Sequence, residues 1–117
     1  MREKLSLSIY RSEQNPLAME FHCRDGRVFG LPYNHLLSFL HEANPDAELQ
    51  PNAPAERILL SFATHEVVLL GWSLKGIVPL LCVGQLASVH VADIRYLATA
   101  ENAPFVRDMS IHPVSSK

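Results

Sequence analysis

A chain of 117 residues is long enough for one domain with a hydrophobic core of its own. Its 48% hydrophobic and 19% charged residues are typical of a globular protein and exclude a disordered one. The net charge of −2 and the lack of a stretch rich in lysine and arginine argue against nucleic-acid binding. The sequence therefore predicts a small globular domain without a nucleic-acid partner.

The sequence also gives no sign of a membrane or secreted protein. The longest apolar run, residues 77–84, is too short to span a bilayer and contains Pro79. The N-terminal segment lacks the apolar stretch of a signal peptide. Cys23 and Cys82 are far apart and form no disulfide pattern, so we expect two reduced thiols. These features favour a soluble, cytoplasmic protein that makes no membrane contact.

Residues 4–10 alternate between apolar and polar side chains, which predicts a half-buried strand. A β-hairpin is predicted over residues 18–31, closed by a two-residue type I′ turn at Asp25-Gly26. This turn would pair His22 with Phe29. It would place on one core face the residues Met19, Phe21, Cys23, Val28 and Gly30.

The pattern changes to a helical period after Pro32. Tyr33, Leu36, Leu37 and Leu40 follow the spacing i, i+3, i+4, i+7 and predict a helix over residues 33–43. Residues 44–56 contain three prolines and no apolar pattern, and are expected to form a surface loop.

A second hairpin is predicted over residues 57–71, with His65-Glu66 as its loop. One face is apolar and carries Ile58, Leu60, Phe62, Val67 and Leu69. The opposite face is also mostly apolar and carries Leu59, Ser61, Ala63, Val68 and Leu70. Strands that are apolar on two sides are normally covered on both.

The remaining elements are a helix over residues 74–83, ended by Gly84, a strand over 86–91 and a short helix over 93–100. The expected domain is residues 1–100, with 101–117 as a loosely ordered C-terminal tail. The predicted fold is α+β, with a single antiparallel or mixed sheet of about five to six strands and two helices on one face. Residues 18–43 and 57–84 share a ββα plan and are a possible repeat.

With both helices on one face of a single sheet, the other face needs a cover that the chain does not supply. The sequence therefore predicts a homodimer through the second hairpin, with Leu59, Ser61, Ala63, Val68 and Leu70 at the interface. The function expected from this is that of a non-catalytic interaction module, which could also bind an unknown protein partner.

A ligand-binding role is the alternative. Arg24 and Arg27 flank the first turn and could hold an anion between them. His22, Phe29 and Tyr33 could line a pocket where this hairpin meets its helix, as a binding domain or a minor enzyme would require. The six histidines lack metal-ligand spacing and no catalytic or cofactor motif is recognisable, so neither a metal nor a cofactor is expected.

Overall fold

The computed structural model describes residues 9–92 and 103–114, which form eight strands in two four-stranded sheets. A 3₁₀ turn at Tyr33–His35 precedes β4, and a second at Leu74–Ile77 runs into the short helix α1, Val78–Cys82. The strands are β1 Tyr10–Ser12, β2 Ala18–His22, β3 Val28–Pro32, β4 Leu36–Ala43, β5 Glu56–Phe62, β6 His65–Trp72, β7 Leu86–His90 and β8 Phe105–Pro113.

The strand order is β1-β7-β2-β3 in the first sheet and β4-β5-β6-β8 in the second. All neighbouring strands are antiparallel except β2 and β7, which are parallel. No helix within the described ranges is long and apolar enough to cross a bilayer.

One hydrophobic core joins the two sheets. Phe21 of the first sheet meets Phe62 of the second edge to face, with ring centroids 6.0 Å apart. The helical segment between β6 and β7 adds Leu74, Ile77 and Leu81 to this core. The inner side of the second sheet is fully packed through Ile58, Leu60, Phe62, Val67 and Leu69, each at most 2% exposed. The predicted core face of the second hairpin is therefore confirmed.

The predicted fold class is wrong, because the protein is mostly β, with two sheets and one short α-helix among the described residues. Residues 36–43, predicted to be helical, are strand β4, paired antiparallel with β5. Leu37 and Leu40, which the helical spacing would bury, are 71% and 49% exposed. The proposed ββα repeat fails with that helix, since only the second unit has one.

The first hairpin has the predicted strands but a different register. Phe21 pairs with Phe29, and His22 with Val28. The loop has three residues, because the backbone N–H of Cys23 bonds to the carbonyl of Arg27 at 2.8 Å. Only Gly26 of this loop has positive φ, at +94°. This one-residue shift turns β3 over, so that Leu31 is buried and Val28 is 55% exposed.

The second hairpin turns at Ala63-Thr64, two residues before the predicted loop. Leu59 pairs with Val68, and Leu60 with Val67. This shift keeps each side chain on its expected face, because it moves the pairing by an even number of residues.

Most of the region expected to be a loose tail is ordered. Residues 105–113 form β8, which pairs with the whole length of β6. Phe105 and Val106 are buried at its start. There the chain passes so close to Gly71 that a Cβ on this glycine would lie 1.8 Å from the carbonyl oxygen of Phe105. The predicted helix over 93–100, and all but the end of the predicted strand over 4–10, lie outside the described residues.

Candidate functional site

The outer face of the second sheet carries its side chains in three cross-strand rows. The central row runs Leu40, Leu59, Val68 and Ser110 across β4, β5, β6 and β8. One flanking row is Ser38, Ser61, Glu66 and His112, and the other is Glu42, Arg57, Leu70 and Asp108. We call the four apolar members of this grid, Leu40, Leu59, Val68 and Leu70, the outer patch.

The outer patch is apolar and only partly covered by the chain itself. Leu40 is 49% exposed, and Leu59, Val68 and Leu70 are half-buried. None of the four belongs to the core between the sheets. Alternation along β6 places Trp72 on the same side as Val68 and Leu70. The apolar surface of the outer patch therefore continues to Trp72, whose ring contacts Phe105.

Polar and charged groups border the outer patch. Arg57 donates to the carboxylate of Glu42, and Asp108 accepts from Arg107 Nε at 2.7 Å. Glu66 and His112 lie exposed at the opposite edge. An apolar centre with a polar rim is the common anatomy of a protein–protein interface.

Four of the five residues predicted for a dimer interface, Leu59, Ser61, Val68 and Leu70, lie together on this grid. The fifth, Ala63, is exposed in the adjoining turn. Leu40 belongs to the same surface but was assigned to a helix by its spacing. Residues 38–42 do not alternate between polar and apolar side chains, so no local signal marks this segment as a strand.

The residues predicted to line a ligand pocket do not come together. His22 lies on the outer face of the first sheet, stacked on His90 with ring centroids 4.0 Å apart. Phe29 points inward and meets the ring of His65 at 5.0 Å. The Tyr33 hydroxyl accepts a hydrogen bond from the Leu86 N–H at 3.2 Å, and burial raises the pKa of this tyrosine.

Each of the two arginines of the first turn lies beside a carboxylate. Arg27 Nε donates to Asp25 Oδ2 at 2.9 Å, and the Arg27 N–H to Oδ1 at 3.1 Å. That backbone donor and the guanidinium charge hold the pKa of Asp25 below its ordinary value. Arg24 donates to the carbonyl of Arg107 and lies 4.0 Å from Asp108 Oδ1.

An open groove of about 370 Å³ separates this turn from β8. It contains three of the predicted ligand residues, Arg24, Arg27 and Phe29. The other side is lined by Met109, Ile111 and His112 of β8, a strand that the sequence did not predict.

A polar cluster around His22 and His90 was not foreseen. Glu20 Oε1 lies 3.1 Å from His22 Nε2 and 3.8 Å from Arg11, while the hydroxyl of the buried Ser88 lies 3.3 Å from His90 Nε2. Burial, with the neighbouring His22 and Arg11, lowers the pKa of His90, against an opposing effect of Glu20. This arrangement favours a neutral His90 near pH 7.

The stacked imidazoles cannot both direct a ring nitrogen at one ion, since their planes are within 18° of parallel. No group of three metal-ligating side chains occurs within residues 9–92 and 103–114. A second open groove, of about 520 Å³, lies between β4 and α1. Its lining, which includes Tyr33, Leu37, Phe39 and Cys82, carries no acidic or basic side chain.

No protein-family model, curated protein or solved structure was found to match the chain.

Proposed function

We propose that the protein is a non-catalytic interaction module in which the outer patch binds a second copy of the chain. The observation that carries the proposal is the row Leu40–Leu59–Val68, three apolar side chains that lie side by side on the outer face of the second sheet, outside the core between the sheets. Such a row resembles one half of a β-sandwich, whose two sheets bury facing side chains against each other.

The area of the outer face of the second sheet determines the affinity that we expect for the dimer. Four strands about 4.8 Å apart and three or four rows about 6.8 Å apart cover roughly 400–500 Å² per copy. The total of about 800–1,000 Å² is at the small end for specific complexes, so the dimer should be weak, with a dissociation constant in the micromolar range. Trp72 lies next to the outer patch, and tryptophan is a residue type that often contributes most of the binding energy of an interface.

The test is a charge placed in the outer patch. Leu40→Lys lies on an edge strand and is half-exposed, so the variant should still fold. It should be monomeric at about 1 mM protein, where the unaltered chain should be mainly dimeric. Light scattering after size-exclusion chromatography, over about 10 µM to 1 mM, measures the mass.

The matched control is Leu49→Lys, which makes the same change at a leucine that is 76% exposed in the loop between β4 and β5. It should dimerise as the unaltered chain does. A monomer at every concentration in the unaltered protein would contradict the proposal.

A second candidate is favoured by the groove beside the first turn. Arg24 and Arg27 border an apolar floor of Phe29, Met109 and Ile111, which suits a small anion with an apolar body. Hexanoate added to the ¹⁵N-labelled protein should shift the amide signals of Phe29 and Ile111. Arg24→Gln with Arg27→Gln should abolish those shifts and Arg11→Gln should not, while an unshifted spectrum would rule this candidate out.

A further inference from the structure

We infer that the two copies meet about a two-fold axis lying along the central row, perpendicular to the strands. This inference rests on the proposed function and specifies how the partner is oriented. The central row of one copy would then lie over the central row of its partner. Each of its residues would face its own counterpart, namely Leu40, Leu59, Val68 and Ser110.

Two sheets that pack face to face keep their strands within about 30° of each other. A two-fold symmetric pair therefore has two simple arrangements. In the first, the axis runs across the strands, so that β4 faces the partner's β4 and β8 faces the partner's β8. In the second, the axis runs along the strands between β5 and β6, so that β4 faces the partner's β8.

The apolar side chains favour the first arrangement. It places Leu40 on the partner's Leu40, and Leu59 and Val68 likewise on their counterparts. The second arrangement places Leu40 on the partner's Ser110 and Leu70 on the partner's Arg57. In each copy it sets two apolar side chains against polar groups, whereas the first arrangement sets only one, Leu70 against the partner's Glu66.

The charges favour the first arrangement as well. The flanking rows then exchange places, so that Asp108 faces the partner's His112. Arg57 and Glu42 face the partner's serines and Glu66 faces the partner's Leu70, so no two like charges meet. The second arrangement sets Glu42 against the partner's Asp108, twice in each dimer. Each of these carboxylates has an arginine of its own chain, yet facing acids still oppose association.

Crosslinking at the ends of the central row distinguishes the two arrangements. Leu40 and Ser110 lie three strands apart, about 14 Å across the sheet, and facing sheets are about 10 Å apart. A crosslinker that spans about 10 Å between thiols therefore joins only residues that face each other. Cys23→Ser and Cys82→Ser supply a cysteine-free chain, whose dimerisation is checked first by light scattering.

Into this background we would introduce Ser110→Cys or Leu40→Cys. Each variant alone should crosslink to itself, and a mixture of the two should give at least tenfold less of the mixed product. The conservative Ser110→Cys variant keeps the test valid if Leu40→Cys weakens the dimer.

A dimer that crosslinks only as the mixed product, or at neither position, overturns the proposed axis and leaves the proposed function standing. A chain that stays monomeric at about 1 mM overturns both.

Discussion

At the scale of single residues, Glu56 of β5 connects β4 with the segment that follows β6. Its carboxylate accepts from His41 Nε2 of β4 at 2.9 Å and from the backbone N–H groups of Ser73 and Leu74 at 3.1 and 2.7 Å. Burial alone would raise the pKa of Glu56, but these donors and the charge of His41 hold it below its ordinary value of 4.5. Ser73 has a φ of +56°, in the left-handed region that is unfavourable for a residue with a side chain. The hydrogen bond from its N–H to Glu56 helps to hold this conformation.

We expect Glu56→Ala to lower the free energy of unfolding by about 1–3 kcal/mol at pH 7. Because the folded-state pKa lies below 4.5, the carboxylate stabilises the protein above that pH and this stabilisation is lost as the pH falls through the folded-state value. The difference between the variant and the unaltered chain should therefore shrink below pH 4.5. Urea denaturation across this pH range measures it.

Glu48→Ala is the control, since Glu48 is exposed in the loop between β4 and β5. Equal stabilities of the Glu56 and Glu48 variants at pH 7 would contradict the anchoring role. Sequence reasoning could not find Glu56, because two of its partners are backbone amides of a distant segment that leave no trace in side-chain patterns.

At the scale of elements, the two hairpins show how a turn determines which face a strand presents. Neither predicted loop matches the observed one, because the first observed loop is one residue longer and the second lies two residues earlier. The shift in the second hairpin was even, and its buried face was still predicted correctly. The shift in the first was odd, which reversed β3 and separated Phe29 from His22. Alternation can thus predict the strands of a hairpin. Which side chains of the two strands share a face of the sheet depends on the turn geometry.

Gly26 provides the test of that turn. Its φ of +94° disfavours any residue with a Cβ, yet there is open space where a Cβ would lie. Gly26→Ala should therefore cost about 1 kcal/mol through backbone strain alone. Gly30→Ala, also in open space but without positive φ, is the matched control and should be neutral or slightly stabilising. Thermal unfolding compares them, and equal melting temperatures would argue against this three-residue turn.

The segment 33–43 shows where periodicity fails. Its four apolar residues fit one side of a helix, but as a strand the same segment turns Phe39 and His41 toward the inner side of the second sheet. Pairing with β4 also gives hydrogen-bond partners to the backbone N–H and C=O groups along one side of β5, which would otherwise be an open sheet edge. This gain comes from a segment more than a dozen residues later, so local spacing could not reveal it.

At the scale of the molecule, the division into two sheets follows from contacts between distant parts of the chain. β7 lies between β1 and β2 in the first sheet, and β8 pairs with β6 at the edge of the second. The sequence predicted β7 as a strand but could not show its parallel pairing with β2. The outer patch was largely predicted, because it depends on alternation within one hairpin. The groove beside the first turn was not, because β8 forms half of it.

The role of β8 can be tested by ending the chain after Ala103. We expect this variant to lose cooperative unfolding, because it removes Phe105 and Val106 from the interior and leaves β6 unpaired along one edge. Circular dichroism during thermal unfolding should show no sharp transition. Ending the chain after Val114 keeps β8 and should leave the transition intact; a sharp transition in the shorter chain would show that β8 is dispensable.

The pairing of β2 with β7 also has a consequence for synthesis on the ribosome. Residues 18–22 leave the exit tunnel long before residues 86–90, and at about 5–20 residues per second the delay is on the order of 10 s. During that interval the nascent chain presents Met19 and Phe21 on an unfinished sheet, a natural target for a chaperone. The first sheet should therefore not be completed until residues 86–90 have left the tunnel.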